Sequence, residues 1–259
     1  MTPASTVRRE GRSQRKSSGV LRLRVAPALV ASVAALALVA CDALPGKPRY
    51  ADRELLPTEV MAFGALYEKN CAGCHGAEGK LGAARPLNDP VYLALVPRER
   101  VRDVIARGVP GTAQPALASS AGGTLTDAQI DALVRGLSDT WGRPDAVKGV
   151  DLPAYAGTGG GSAERGRAVF AAACASCHGA EGHGTPKGGS VVDASYLALV
   201  SDQYLRTTVI AGRPDLGMPD WRGYVQGQPL TAAQIEDVVA WLASERRPVP
   251  GRPVLGVSR

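Results

Sequence analysis

Aromatic residues, methionine and histidine are all scarce in this sequence. Of its 259 residues only 5% are aromatic, and the chain has three methionines and three histidines. A small domain with so few aromatic side chains has difficulty filling a core from side chains alone. The composition therefore favours a fold in which a bulky prosthetic group contributes to the core.

A net charge of one sign is also missing once the first 40 residues are set aside. Seven of the 30 Lys and Arg residues and one of the 24 acidic residues lie in 1–40, which leaves 23 of each from residue 41 onward. A formally neutral body presents no general attraction for phosphate backbones. We therefore expect no nucleic-acid partner.

The apolar run near the N-terminus is too short to cross a bilayer. It covers the 16 residues 25–40, against the ~20 that a membrane span needs, and it follows a basic segment that ends at Arg24. This order is typical of an export signal. The run ends Leu38-Val39-Ala40-Cys41, which resembles the lipobox of bacterial lipoproteins. That resemblance implies a signal peptide at 1–40 and lipid attachment at Cys41; the alternative is a short uncleaved anchor.

Four of the five cysteines form two pairs, and each pair is followed at once by a histidine. The two segments are Cys71-Ala72-Gly73-Cys74-His75 and Cys174-Ala175-Ser176-Cys177-His178. This C-x-x-C-H pattern is the attachment signature of c-type haem. A zinc site would need four ligands, whereas each segment offers two Cys and one His. A disulfide in each pair would leave both histidines unexplained, so the pattern predicts two covalently attached haem c groups.

The second half of the chain repeats the first. CHGAEG occurs at 74–79 and 177–182, YLALV at 92–96 and 196–200, and LT-x-AQI at 125–130 and 230–235. Such a fixed offset indicates a duplicated domain, and the Gly- and Pro-rich stretch between the copies is typical of a linker. We predict a tether at 41–56, domains at 57–147 and 163–247, a linker at 148–162, and a Pro-rich tail at 248–259.

Helical periodicity dominates both copies. Each copy ends in an amphipathic segment that begins with a capping box, at Thr126-x-x-Gln129 and Thr231-x-x-Gln234. Apolar residues then follow at helical spacing. They are Ile130, Leu133, Val134 and Leu137 in the first copy, and Ile235, Val238, Val239 and Leu242 in the second. The pattern predicts an all-α fold.

Over about residues 57–246, each copy resembles the class I c-type cytochromes. The resemblance implies two tandem domains, each with a few helices wrapped around a covalently bound haem. It also implies that His75 and His178 are proximal iron ligands and that Met218, between Gly217 and Pro219, is a sixth ligand. The second copy fits well, whereas Gly64 in the first copy lies one position nearer its cysteine than Gly166 does.

The first copy departs from the pattern at the sixth ligand. An offset of 104 residues places Gln114 where Met218 stands. The amide oxygen of glutamine is a poor ligand for haem iron, so we expect the first iron to be open or only weakly closed by Gln114. The alternative is rearranged ligation, with Met61, Lys80 and His183 as the remaining donors.

These features favour an electron carrier rather than an enzyme in its own right. We expect a membrane-tethered di-haem cytochrome on the extracytoplasmic (periplasmic) face of a bacterial membrane, which relays single electrons. Its redox partners would be a membrane donor and an oxidase, a reductase or a soluble cytochrome. The alternative is a two-haem oxidoreductase, of the peroxidase or sulfur-compound dehydrogenase type, in which the first haem is an open catalytic site.

Overall fold

The protein is described here by a computed structural model, which covers Gly46 and residues 52–248. The predicted signal peptide, Cys41, most of the tether and residues 249–259 of the tail lie outside the described residues. Both repeats lie in one compact unit, which begins at Leu55. Within the described part, no helix combines the length and the apolar character needed to span a bilayer.

The first repeat consists of five α-helices in the described chain. They are α1 (Phe63–Asn70), α2 (Ala72–His75), α3 (Pro90–Leu95), α4 (Arg98–Arg107) and α5 (Asp127–Trp141). Helices α1, α3 and α4 all pack against α5. Two 3-10 turns, Pro57–Glu59 and Ser119–Ala121, lie before α1 and before α5.

The second repeat has the same order of elements. Its helices are α6 (Ala163–Ala173), α7 (Ala175–His178), α8 (Ala194–Leu199), α9 (Asp202–Ala211) and α10 (Ala232–Ser244). Helices α6 and α9 pack against α10. Where β pairing occurs among the described residues it is limited to isolated bridges, so the all-α prediction is confirmed.

Both capping boxes form as the sequence predicts. The Thr126 hydroxyl accepts a hydrogen bond from the Gln129 amide, and Thr231 does the same for Gln234. The apolar stripe of α5 is buried, with Ile130 0% and Leu133 1% exposed. Gln129 has a further role, because its side-chain amide also donates to the carbonyls of Pro57 and Val60, at 2.8 and 3.0 Å.

Both repeats contain the same close helix crossing, but the large and the small residue are on opposite helices in the two. In the second repeat Gly166 lies against Trp241, and a Cβ on Gly166 would overlap the Asp237 carbonyl. In the first repeat the glycine is on the other helix, since a Cβ on Gly136 would overlap the Phe63 ring. Gly64 is not at this crossing, because a Cβ there meets nothing within 4 Å. The mismatch at Gly64 therefore reflects a swap of the large and the small residue.

The Gly- and Pro-rich linker is fixed to the second repeat. The buried Arg206 side chain donates to the carbonyls of Ala154 and Tyr155, with distances of 2.8 to 3.2 Å. Further along, the Glu236 carboxylate accepts from the amide and the hydroxyl of Thr158, at 2.8 and 2.7 Å. These bonds place the linker on α9 and α10 rather than leaving it as a free spacer.

The repeats also contact each other directly. Helix α3 of the first packs against α9 of the second. The Leu81 amide donates to Asp215 Oδ2 at 3.0 Å, and Arg213 Nη2 donates to the Gly82 carbonyl at 3.3 Å. Arg213 and Asp215 pair with each other through two bonds of 2.9 Å. We call these four residues the interdomain clasp.

Candidate haem-binding sites

The four cysteines of the two motifs form no disulfide. The first cysteine of each motif lies at a helix junction, and the second lies within a short helix. Cys71 lies between α1 and α2, and Cys174 lies between α6 and α7. Both are half-buried, whereas Cys74 and Cys177 are exposed. Burial, and then the neighbouring cysteine, raises the pKa of Cys71 to about 11 and that of Cys174 to about 12. Each motif offers two Cys and one His, and the described residues contain no cluster of three or more candidate metal ligands, so a four-ligand zinc site is not formed here.

The two motif histidines are held in the same orientation. The Nδ1–H of His75 donates to the Arg85 carbonyl and that of His178 to the Gly189 carbonyl, both at 2.8 Å. A carbonyl can only accept, so Nδ1 carries the proton and Nε2 keeps its lone pair for a metal. A hydrogen bond at the far nitrogen also fixes the ring orientation of metal-binding histidines. The residues present therefore fit an iron-bound haem at each motif.

Gln114 and Met218 occupy equivalent backbone positions. The Val109 amide donates to the Gln114 carbonyl at 3.1 Å, and the Arg213 amide donates to the Met218 carbonyl at 3.0 Å. In each repeat a positive-φ glycine precedes the donor, and a Cβ on Gly108 or Gly212 would overlap the loop that follows. The offset of 104 residues used on the sequence is therefore the structural register.

The Gln114 side chain faces the His75 imidazole. Burial lowers the pKa of His75, while its hydrogen bond to the Arg85 carbonyl and its interaction with the Gln114 side chain act in the opposite direction. The neutral imidazole is the form that binds iron. The structure thus brings together Cys71, Cys74, His75 and Gln114, but the role of Gln114 as an iron ligand stays a prediction.

The other donors weighed from the sequence lie at the surface. Met61 is 42% exposed and precedes α1. Lys80 and His183 are exposed in the loops that follow the two motifs.

Near the second motif the structure adds Tyr224, which donates to the Val209 carbonyl at 3.0 Å. Burial, and then the nearby Cys174, raises the pKa of Tyr224.

Arg85 is a site residue that sequence reasoning missed. Its carbonyl anchors His75, yet its side chain is 5% exposed, and Nε, Nη1 and Nη2 are all buried without a hydrogen-bond partner. The available signal was a mismatch between the repeats, because the equivalent anchor in the second is Gly189. A buried arginine with no hydrogen-bonded partner is uncommon, since arginine carries five donors.

The family described as "Cytochrome C oxidase, cbb3-type, subunit III" matches residues 58–135 and 161–242, one match for each repeat. The chain belongs to this family. Membership establishes a c-type cytochrome that binds haem c. As the helix order indicates, the tandem cytochrome c fold predicted from the sequence is confirmed.

Curated relatives of this cytochrome are named as subunits of cbb3-type cytochrome c oxidases. The chain is 30% identical over 207 residues to the cbb3-type cytochrome c oxidase subunit CcoP of Rhodobacter capsulatus, covering 75% of this chain and 65% of the relative. It is 28% identical over 197 residues to the corresponding subunit FixP of Sinorhizobium medicae, covering 72% and 61%. The cytochrome therefore matches less than two thirds of the length of these relatives.

Among solved structures, this cytochrome is similar to a chain of the reducing HAO-like protein complex of Kuenenia stuttgartiensis. That match has a TM-score of 0.41 and 18% identity, and it covers 75% of this chain and 100% of that one.

Proposed function

We propose that this protein is a di-haem cytochrome c that relays single electrons between membrane-associated redox partners. The observation that carries the proposal is the pair of equivalent sites. Each has free thiols beside a histidine whose Nδ1 is bound to a backbone carbonyl, and both lie in one compact unit. Haem c bound at these sites supplies reversible one-electron chemistry.

Each residue has a defined task in this proposal. Cys71 and Cys74 hold the first haem and Cys174 and Cys177 hold the second, through thioether bonds. His75 and His178 are the proximal ligands, and their Nδ1 bonds keep the rings in place. Met218 closes the second iron, where a thioether ligand raises the reduction potential. Gln114 leaves the first iron open or weakly closed.

The contact between the repeats supports transfer from one haem to the other. The interdomain clasp ties the loop that follows the first motif to the turn that carries Met218. The linker bonds hold that segment to the second repeat. Both motifs lie in one compact unit, which favours electron transfer between the two haems.

We further propose that the protein is a lipoprotein, attached through Cys41 to the outer side of a bacterial membrane. Cys41 and its signal peptide lie outside the described residues, so this proposal is supported by the lipobox sequence at residues 38–41 alone. Tethering raises the effective concentration of the domains near membrane partners. The names of the relatives refer to cbb3-type cytochrome c oxidase, and we propose a membrane oxidase as the acceptor and a membrane donor or soluble cytochrome as the source.

The experiment that tests the relay is a spectroscopic and potentiometric study of the purified protein. The pyridine haemochrome assay should give two haems per chain, and the reduced form should bind carbon monoxide at one haem only. A single haem per chain would contradict the di-haem proposal. Two low-spin haems that ignore carbon monoxide would contradict the open first site while leaving the relay intact.

One observation favours the alternative, a two-haem oxidoreductase: Gln114 stands where the second repeat has Met218. No other observation favours it. The relatives are described as oxidase subunits, and these descriptions support the relay instead. Peroxide or thiosulfate turnover by the purified protein, faster than that of the M218Q variant, would favour the enzyme. We expect no such turnover.

A further inference from the structure

The Arg85 guanidinium is a buried cation that forms no hydrogen bond. Its side chain is 5% exposed, and none of its three nitrogens has a hydrogen-bond partner. An unpaired buried charge is costly, and an arginine normally satisfies its donors with carboxylate or phosphate oxygens. In the described part of the chain, no carboxylate or phosphate oxygen lies within hydrogen-bonding distance of the guanidinium, which points to a ligand that the polypeptide does not supply.

Asp89, the nearest carboxylate, does not satisfy Arg85. Its Oδ2 lies 3.7 Å from Arg85 Nη2, beyond hydrogen-bonding distance, and this oxygen is itself unpaired. Its Oδ1 is already used, because it accepts from the amides of Val91 and Tyr92 at the start of α3. On the other side, the Tyr92 ring lies 4.1 Å from the guanidinium carbon. The protein therefore holds the Arg85 guanidinium in place but gives its N–H groups no hydrogen-bond acceptor.

The location of Arg85 identifies the ligand. Its own carbonyl anchors His75, so Arg85 lies beside the proximal histidine of the first motif. Its charge also reaches the second repeat, where burial raises the pKa of Tyr196 and Arg85 opposes that rise. The carboxylates that a haem brings to the rim of its site are its propionates. The equivalent residue in the second repeat, Gly189, has no side chain to bind one.

We propose that Arg85 binds a propionate of the haem attached at Cys71 and Cys74, and that its charge raises the reduction potential of this haem. The inference rests on the proposed function, since it needs a haem at the first motif. A cation near the iron stabilises the reduced form, which carries less positive charge. Only the second site has Met218 to raise its potential. Arg85 thus narrows the potential difference between the two haems and keeps transfer reversible.

The test measures the equilibrium potential of each haem in the intact protein, by spectroelectrochemical titration of wild type, R85Q, R85K and R107Q. For R85Q we expect the reduced-to-oxidised ratio of the first haem at fixed potential to fall about tenfold, which is about 59 mV for one electron. The second haem should be unchanged. R85K keeps the charge without the fork, so its potential should stay near wild type while the propionate bending bands in resonance Raman shift.

R107Q is the matched control, because Arg107 is an exposed arginine on α4 that pairs with Asp103. It should move neither potential. D89N removes a negative charge beside Arg85 and keeps the oxygen that caps α3, so it should leave the first potential unchanged or raise it. Equal losses of stability in R85Q and D89N, with both potentials unchanged, would show that Arg85 only pairs with Asp89 and would overturn the proposal.

Two further results would also overturn it. A potential of R85K as low as that of R85Q would exclude the charge as the cause. A wild-type potential that depends on added acetate at constant ionic strength would identify a soluble anion as the occupant. If R85Q does not accumulate with haem, R85K carries the test, and a first-haem potential about 59 mV below wild type in R85K would overturn the proposal. The haemochrome count separates all these results from failure of the di-haem proposal, and no partner protein is needed.

Discussion

Phe63 and Gly136 form the helix crossing of the first repeat, with the Phe63 ring over the glycine backbone. The second repeat has the reverse arrangement, with Gly166 on the N-terminal helix and Trp241 on the C-terminal one. A crossing this close accommodates one large side chain, and either helix can provide it. The duplicated domains have therefore kept the packing while exchanging the residues that make it.

We expect G166A to be strongly destabilising, whereas G64A is not. The new Cβ of G166A would overlap the Asp237 backbone carbonyl, which cannot rotate away, and it would crowd Trp241. Overpacking of this kind costs about 1–3 kcal/mol. Denaturant unfolding of the holoprotein measures the loss.

G64A is the matched control on α1, because its Cβ meets nothing within 4 Å. It should be neutral or stabilising by about 0.5 kcal/mol, as replacement of a helical glycine by alanine commonly is. Equal unfolding free energies for G166A and wild type would contradict the close crossing.

Exchanging Gln114 and Met218 should exchange the properties of the two haems. M218Q should abolish the Met–Fe charge-transfer band, lower the potential of the second haem and let it bind carbon monoxide. Q114M should add a second Met–Fe band, because the backbone at Gln114 matches that at Met218.

M61Q is the control, since Met61 is 42% exposed and precedes α1. It should leave the visible spectrum unchanged. Loss of a Met–Fe band in M61Q, with the band retained in M218Q, would show that the ligand assignment is wrong.

The D215A variant should loosen the contact between the two repeats. It removes both hydrogen bonds to Arg213 and the acceptor of the Leu81 amide. The Asp215 side chain is 1% exposed, so water does not readily replace these bonds. Removal of one partner from a buried pair leaves the other charge uncompensated, and we expect a loss of about 2–3 kcal/mol. Denaturant unfolding and hydrogen exchange at the Leu81 amide measure it.

D103A is the comparison, because Asp103 pairs with Arg107 near the surface. Exposed pairs contribute about 0.2–1 kcal/mol, and exchange at Leu81 should not change. Unaltered protection of Leu81 in D215A would show that the clasp does not hold in solution.

The stability from the clasp should be lost in acid. Hydrogen bonds from Arg213 hold the pKa of Asp215 below its usual value, against burial and with help from the Leu81 amide. A carboxyl whose folded pKa is depressed stabilises the fold above its unfolded pKa, about 3.9, and loses this contribution as the pH falls through the folded value. The difference in unfolding free energy between wild type and D215N should therefore be constant above about pH 5 and shrink below about pH 4. A difference independent of pH would contradict this linkage.

Local signals predicted the helices of this protein well. The capping boxes at Thr126 and Thr231 form because a hydroxyl and an amide three residues apart need no distant partner. The stripe that includes Ile130 and Leu133 is buried because its spacing places it on one face of α5. The lipobox prediction at Cys41 stays untested, since that residue lies outside the described part of the chain.

Long-range relationships could not be predicted in the same way. Gly64 was compared with Gly166 because both lie before a motif, whereas the structural partner of Phe63 is Gly136, more than 70 positions away in the printed sequence. The composition of residues 148–162 indicated a linker, but it did not show that Arg206 and Glu236 hold this segment on helices α9 and α10. Neither partner carries a local sequence signal.

The sequence by itself determined the duplicated domain, the two haem-attachment motifs and the presence of Gln114 at the position equivalent to Met218. These features depend on residues that are close together in the chain. Only the tertiary structure decided that Arg85 is buried without a hydrogen-bonded partner, that Arg213 and Asp215 join the repeats, and which helix provides the large residue at each crossing. Burial and pairing depend on what the rest of the fold brings near a side chain, which no local pattern contains.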